Sequence, residues 1–173
     1  MGPKTSQYIS KLRKSMIFRF LSDDSLSEVL KIARVLNYKK DEIIIAEGEI
    51  SPYLFSVLEG SVDVSVKKPE GEDLFVCVLG EGDVFGEAAI FLKVKRTATV
   101  TSKGIAALLR IHRQDFFNFI KERPSDGNKI LMIMIHGMLK KLKDANQELA
   151  FEGKTVLEQG DLDEVVESMV RPG

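Results

Sequence analysis

The sequence predicts a mainly β domain with flanking helices: an antiparallel, jelly-roll-like β-roll with an N-terminal helix and a long C-terminal helix. Three observations predict this fold class. Hydrophobic residues recur at helical spacing near the N-terminus, alternate at a spacing of two through the middle of the chain, and return to helical spacing near the C-terminus. The alternating segments are short and rich in β-branched residues. Glycines separate them, as tight reversals between strands require.

The composition is that of an ordinary globular protein and argues against several function classes. Of the 173 residues, 44% are hydrophobic and 29% are charged, and the formal net charge is -1. The chain therefore lacks the basic excess of a DNA-binding protein, and no apolar stretch approaches the roughly 20 residues that span a bilayer. A single cysteine, Cys77, excludes an internal disulfide and fits a reducing compartment. We expect a cytoplasmic protein with no membrane span.

The first predicted helix covers residues 25–38. Ser25 and Glu28 have the spacing of a capping box at its start. Apolar residues recur at helical spacing along one face, which would cover the domain that follows. That face consists of Leu26, Val29, Leu30 and Ala33.

Six short strands are predicted after this helix, because apolar and polar residues then alternate. Val62, Val64 and Val66, for example, are separated by polar residues, which is the pattern of a strand with one solvent-facing side. The six predicted strands are 42–45, 53–58, 61–66, 74–79, 97–101 and 105–111.

Helical spacing returns after His112, first in a short helix around 116–120 and then in a longer helix that starts at Pro124. Ile130, Ile133 and Met134 on the longer helix are expected to face the β-roll. A second apolar row has alternating spacings of four and three, which is the a/d seam of a coiled coil and predicts a homodimer. Packing of this row on the β-roll is the alternative. The row consists of Leu131, Ile135, Met138, Leu142, Ala145 and Leu149.

These patterns divide the chain into four segments. They are an N-terminal extension (1–17), the β-roll with its N-terminal helix (18–123), a lid or dimerisation helix (124–150) and an acidic tail with a short amphipathic helix (151–173). The residues beyond Leu149 are too few and too acidic for a DNA-reading unit. We therefore expect a stand-alone form whose tail or dimer seam engages an unidentified protein partner.

A glycine-rich segment that begins at Leu79 with the sequence LGEGDVFGEAAI is the candidate site, together with RTATV from Arg96. N–H groups at the start of a helical turn favour an anion. Gly86 would let that backbone come close, while Arg96 and Thr97 add a planar cation and a hydroxyl for a phosphate. Glu87 would repel a phosphate unless it accepts from a neutral donor, such as a ribose 2′-hydroxyl. The set therefore indicates a ribose phosphate with a free 2′-hydroxyl, as in a 3′,5′-cyclic nucleotide.

These residues resemble a known motif. Phe85-Gly86-Glu87, eight further residues, and then Arg96-Thr97-Ala98 are similar to the phosphate-binding cassette of cyclic-nucleotide-binding domains, the β-rolls of catabolite activator protein-like and protein kinase A regulatory subunit-like proteins. The resemblance extends from about residue 18 to about residue 143. It includes the turn AEGE at 46–49 and the turn LEG at 58–60.

The resemblance implies a role for each residue of the cassette. Glu87 would bind the ribose 2′-hydroxyl and Arg96 the cyclic phosphate, while Thr97 would contact the phosphate or a guanine base. Two departures from the family pattern, Ala88 for a bulky aliphatic residue and Lys95 for a proline, remove no ligand contact. The remaining implied contacts are the amides of Ala88 and Ala89 with the phosphate, and Val76 and Leu79 beside the base.

We predict a binding protein and not an enzyme, because no paired carboxylates and no nucleophile with a base stand out. His112 and His136 are too few and too separated for a metal site, and Cys77 is read as a core residue. No cofactor is expected besides the ligand, which is cAMP by preference and cGMP as the alternative. Ligand binding would be signalled through movement of the C-terminal helix. The rival hypotheses are a scaffold that keeps the β-roll but binds no nucleotide, and a regulatory fragment of a longer protein.

Overall fold

The structure of the protein is a computed structural model. Two antiparallel four-stranded sheets form its centre. The structure describes residues 3–151, and side chains for residues 7–147. The predicted fold class, mainly β with flanking helices, is confirmed. In chain order the described elements are α1 (Pro3–Leu12), α2 (Asp23–Ile32), β1 (Ala33–Tyr38), β2 (Ile43–Ile45), β3 (Tyr53–Glu59), β4 (Val62–Val66), β5 (Leu74–Leu79), β6 (Val84–Phe85), α3 (Ala88–Phe91), β7 (Thr99–Ser102), β8 (Ala106–His112), α4 (Arg113–Glu122) and α5 (Pro124–Phe151).

The strand order is β1-β8-β3-β6 in the first sheet and β2-β7-β4-β5 in the second. Residues directly opposite each other on paired strands share a face of the sheet, so Phe55 lies beside Phe85 and Val57 beside Leu108 on the inner face of the first sheet. The outer face carries α1, α2 and α4, which contact β3, β1 and β8. The core between the sheets contains Ile45, Phe55, Val57, Val62, Phe85, Val100 and Leu108.

All six predicted strands are present, with ends that differ by at most two residues from the prediction. Alternation of apolar and polar residues marks β4, whereas β3 and β8 are buried along most of their length and are recognised as short, mainly apolar runs. The two-residue strand β6 was not predicted. It lies between Gly82 and Gly86, and two residues are too short for an alternating pattern to be recognised.

The prediction of one helix over residues 25–38 is wrong in its second half. Helix α2 ends at Ile32, and the next residues form β1, which pairs with β8 along its whole length. Backbone pairing to a central strand here overrides the helical spacing of the side chains. The predicted capping box is also wrong, because the N-cap is Ser22, whose hydroxyl accepts from the Ser25 amide at 3.2 Å.

The N-terminal segment contains a helix, α1, that the sequence analysis did not predict. Leu12 closes this helix and is fully buried, and Ile17 and Phe18 in the following turns are 1% exposed. Helix α1 contacts both α2 and β3. The segment before α2 is therefore part of the packed core of the protein.

A polar cluster joins the start of α2 to the junction of α4 and α5. The Ser25 hydroxyl donates to Asp126 Oδ2 at 2.5 Å and accepts from Arg123 Nη1 at 3.1 Å. Arg123 also forms an ion pair with Asp24 at 2.8 Å, and Lys129 with Asp126 at 3.1 Å. The hydrogen bond from Ser25, followed by Lys129 and Arg123, outweighs burial and lowers the pKa of Asp126.

We predict that this cluster makes the stability of the protein depend on pH below 4. Because the pKa of Asp126 is lower in the folded chain, its contribution to the free energy of unfolding is present above the unfolded value of about 3.8 and is lost as pH falls further. Urea unfolding should show that Asp126→Asn destabilises the protein at pH 7. The difference from wild type should shrink toward pH 3; a difference that is the same at both pH values would contradict the assignment.

The described residues divide into two compact units between Met134 and Ile135. In the first unit Ile130 and Met134 are buried and Ile133 is half-buried, as expected for residues that face the β-roll. In the second unit Ile135 and Leu142 are 50% and 57% exposed. The side chain of Leu149 and the tail from residue 152 onward lie outside the described residues. None of the described helices has the length and apolar character that crossing a membrane requires.

Candidate functional site

The loop between α3 and β7 places Arg96 in a buried position at one end of the first sheet. Arg96 is 7% exposed. Its amide donates to the Glu49 carbonyl, and its carbonyl accepts from the Gly48 amide, both at 2.8 Å. The turn at 46–49 and the predicted cassette are therefore held together through the backbone of Arg96.

The Arg96 guanidinium is fixed by neutral oxygens. Nη1 donates to the Gly86 carbonyl at 3.2 Å, and Nη2 donates to the Tyr53 carbonyl at 2.7 Å and the Ser51 hydroxyl at 3.3 Å. Arginine has five N–H donors, so these three bonds leave two donors available. One of the two is Nε–H, which is buried and has no hydrogen-bond partner among the described residues.

Burial lowers the pKa of the Arg96 guanidinium, and the carboxylates of Glu49 and Glu87 partly offset this effect. An arginine stays protonated even so, because its ordinary pKa lies far above neutral. A buried cation with a donor that lacks an acceptor is destabilising unless an anion or a polar group completes it. The geometry thus favours an anion at Nε.

Gly86 makes this arrangement possible. It has φ +78°, in the left-handed region that favours glycine, and a Cβ built there would lie 2.6 Å from Arg96 Nη1 and 3.0 Å from the Tyr53 carbonyl oxygen. A side chain at this position would displace the guanidinium. In the structure the backbone at Gly86 approaches the Arg96 guanidinium, and its close approach to an anion stays a prediction.

Glu87 and α3 follow directly. The Glu87 carbonyl accepts from the Ile90 amide at 3.0 Å, and Glu87 occupies the N-cap position of α3. The amides of Ala88 and Ala89 belong to the first turn, so the helix itself offers them no acceptor. Glu87 is half-buried, and its carboxylate acts electrostatically on Arg96. The structure therefore brings the central residues of the predicted site together.

The other predicted site residues are more dispersed. Thr97 is exposed and Ala98 half-buried, and both precede β7, which starts at Thr99. Phe85 is 5% exposed and stacks on Phe55 with ring centroids 5.2 Å apart. Phe85 thus supports the cassette from within the core.

The pairing of β4 with β5 decides which side chains face inward. Val62 lies opposite Leu79 and Val64 opposite Cys77, and then the register shifts, so that Val76 has no directly opposed partner. Leu79 and Val64 pack against the core, whereas Val76 is 52% exposed. Cys77 lies opposite Val64 and is only half-buried, so it is less enclosed than the predicted core position. It is a candidate base-lining residue that the sequence analysis did not name.

Two further residues of the site were missed by the sequence analysis: Ser51 and Tyr53, which hold the guanidinium of Arg96. Tyr53 acts through its backbone carbonyl, and a carbonyl carries no signal in the side-chain pattern. Ser51 lies 45 residues from Arg96 in the chain. Only the folded structure places them next to each other.

The arrangement is suited to binding and offers one cation, two N-terminal amides and one carboxylate. A phosphate can accept from the cation and the amides, while the carboxylate accepts from a hydroxyl of the same ligand. Within residues 3–151 no group of three or more His, Cys, Asp or Glu side chains is placed to hold a metal ion. The groups at the site are suited to a ligand that carries both a phosphate and a hydroxyl.

Comparison with known proteins gives a family match at the same place. A family model described as "Cyclic nucleotide-binding domain" matches residues 35–123, which include the whole cassette. The chain is 23% identical over 139 residues to a CRP-like cAMP-activated global transcriptional regulator of Mycobacterium tuberculosis, with 80% of the chain and 60% of the regulator covered.

Two solved structures are similar in fold. The catabolite activator protein of Thermus thermophilus matches with a TM-score of 0.72 at 22% identity, over 80% of this chain and 63% of that chain. The regulatory domain of Toxoplasma gondii PKA, crystallised with cAMP, matches with a TM-score of 0.61 at 30% identity, over 70% and 46%. The chain spans 60% or less of the curated relatives it matches, which also include potassium channels and cGMP-dependent protein kinases.

Proposed function

The chain belongs to the cyclic nucleotide-binding domain family, and from this premise we propose that it is a sensor that binds a 3′,5′-cyclic nucleotide. The observation that carries the proposal is the buried Nε–H of Arg96, which has no acceptor among the described residues. The phosphate of a cyclic nucleotide is an anion of the size and charge that this donor requires. Glu87, which acts electrostatically on the same guanidinium, is the acceptor for a ribose hydroxyl.

In the proposed complex, Arg96 and the amides of Ala88 and Ala89 bind the phosphate. Glu87 accepts a hydrogen bond from the 2′-hydroxyl. Neither the Arg96 guanidinium nor the cassette backbone needs to move far, because the Gly86 backbone already lies against the guanidinium. Preorganised groups lose little conformational freedom when the ligand binds, which favours affinity.

The base is the less constrained part of the ligand. We propose that Leu79 and Cys77 line it, with Val76 at the rim, because the register of β5 directs the first two side chains inward. cAMP is the preferred ligand, supported by the names of relatives that are activated by or crystallised with cAMP. The exposed Thr97 hydroxyl is compatible with a guanine amino group, so cGMP remains the alternative.

Isothermal titration calorimetry of the full chain tests this proposal. We expect saturable binding of cAMP, weaker or comparable binding of cGMP, and much weaker binding of 5′-AMP, which lacks the cyclic phosphodiester. The absence of heat with both cyclic nucleotides would overturn the proposal and favour a scaffold that keeps the fold without the ligand.

We further propose that α5 transmits the bound state to a protein partner, and that the protein acts in the cytoplasm as a regulator and not as an enzyme. Segment 124–150 would be the lid and dimerisation helix. Its first turns are anchored by the buried Ile130 and Met134, and exposed apolar side chains at Ile135 and Leu142 support its use as a homodimer seam. A single half-buried cysteine fits a reducing compartment.

We predict that Leu142→Glu converts a dimer into a monomer. A carboxylate at an a/d position would be buried against its counterpart in the partner helix, which is strongly unfavourable. Sedimentation velocity of the wild type and the variant would measure the change. Gln147→Glu adds the same charge at an exposed position on the side of the helix away from the seam and should remain dimeric; a Leu142→Glu profile identical to wild type would exclude the seam as an interface.

A further inference from the structure

The segment between α1 and α2 lies directly on the turn that joins β5 to β6. The Met16 amide donates to the Gly82 carbonyl at 2.9 Å, and Lys14 Nζ forms an ion pair with Glu81 at 3.1 Å. Next to these contacts, the hydroxyls of Ser15 and Ser56 form a buried hydrogen bond at 2.9 Å. Three successive residues of the segment, 14–16, thus hold the turn or the adjacent strand.

Gly82 is shaped for this contact. It has φ +92°, and a Cβ built on it would lie 2.4 Å from the Lys14 carbonyl oxygen and 3.2 Å from the carbonyl carbon. Both atoms are backbone, so they cannot move aside without shifting the whole segment. Only a glycine at this position lets the N-terminal segment come as close as it does.

The same turn leads into the cassette. The Gly82 amide donates to the Val57 carbonyl and the Val57 amide donates to the Asp83 carbonyl, both at 2.9 Å. Strand β6 follows at once and ends at Phe85, next to Gly86 and Glu87. Only four residues, 83–86, therefore separate the contact with the N-terminal segment from the carboxylate of the candidate site.

We propose that the N-terminal segment 14–16 positions the nucleotide site through Gly82, so that its attachment to the β5–β6 turn sets the affinity for cyclic nucleotide. This inference rests on the proposed function. Gly82 and Met16 are positioning residues in this account, since they act on Glu87 and Arg96 through the turn and β6. A partner or a modification that detaches the segment would weaken ligand binding, and by linkage the ligand would strengthen the attachment of the segment.

Two glycine variants test the proposal with matched backbone strain. Gly82→Ala places a methyl group against the Lys14 carbonyl, whereas Gly71→Ala has nearly the same φ, +91°, and nothing within 4 Å of the new Cβ. Suppose that detachment of segment 14–16 leaves about one molecule in ten with a cassette that can bind nucleotide. Gly82→Ala then lowers cAMP affinity about tenfold, while Gly71→Ala stays within about twofold of wild type. Equal affinities in the two variants would overturn the proposal.

A second measurement uses the wild-type protein and separates positioning from simple strain in the turn. Hydrogen exchange of the Met16 amide should slow about tenfold with saturating cAMP, and by clearly more than the exchange of the Lys103 amide, which bonds to Ser61 in another loop. A Met16 amide that slows no more than that of Lys103 would overturn the proposal, even if Gly82→Ala binds poorly. Wild type that binds no cyclic nucleotide in calorimetry would instead overturn the proposed function itself.

Discussion

Arg96→Ala is expected to weaken the binding of cAMP by about 30- to 5,000-fold, which corresponds to about 2–5 kcal/mol for the loss of one partner of a buried, hydrogen-bonded charge pair. The phosphate would lose its cation, and Nε–H is the donor that has no other acceptor among the residues described. Calorimetric titration of the variant measures the loss directly.

The cAMP affinity of Arg96→Ala should be compared with the affinities of two other variants. Arg96→Lys keeps the charge but cannot reproduce the planar set of donors that reaches Gly86, Ser51 and Tyr53 at once, so we expect an intermediate loss. Arg34→Ala removes an exposed arginine from β1 and should bind like wild type. An Arg96→Ala variant that folds and binds cAMP with wild-type affinity would remove Arg96 from the site.

Glu87→Ala is expected to lower cAMP affinity by about 10- to 150-fold, since it removes the acceptor and hydrogen bonds to a charged group contribute about 1.5–3 kcal/mol. The sharper expectation concerns the ligand. If Glu87 accepts from the 2′-hydroxyl, the wild-type protein should prefer cAMP to 2′-deoxy-cAMP, and the variant should lose most of this preference. Affinities of both proteins for both ligands form a double-mutant cycle.

Glu49→Ala is the matched control for this cycle. Glu49 is exposed and, like Glu87, raises the pKa of Arg96 electrostatically. If Glu87 acted only through the charge of Arg96, the two variants would behave alike and both would still distinguish cAMP from its deoxy analogue. We expect the discrimination to survive in Glu49→Ala and to be mostly lost in Glu87→Ala; the opposite pattern would contradict the assignment.

The sequence predicted the strands and the centre of the site because both leave a local signature. Alternation marks a strand whenever one face is buried, as in β4 with Val62 inward and Asp63 half-exposed. The cassette is marked by Gly86, Glu87 and Arg96 at fixed spacing, and the structure brings these three residues together. No long-range information was needed for either prediction.

What escaped prediction depends on contacts between distant parts of the chain. Residues 33–38 have helical spacing, yet pairing with β8 makes them a strand. The carbonyl of Tyr53 binds Arg96 from 43 residues away, and the register of β5 against β4 leaves Val76 without an opposed residue and 52% exposed. A side-chain pattern cannot reveal a backbone acceptor or a strand register.

A crystal structure of the full chain grown with excess cAMP would show whether Arg96 and Glu87 bind the nucleotide. We expect a phosphate oxygen within about 3.2 Å of Arg96 Nε or Nη and the 2′-hydroxyl within a similar distance of the Glu87 carboxylate. A nucleotide bound elsewhere in the β-roll, or a Glu87 side chain directed away from the bound ribose, would contradict this expectation.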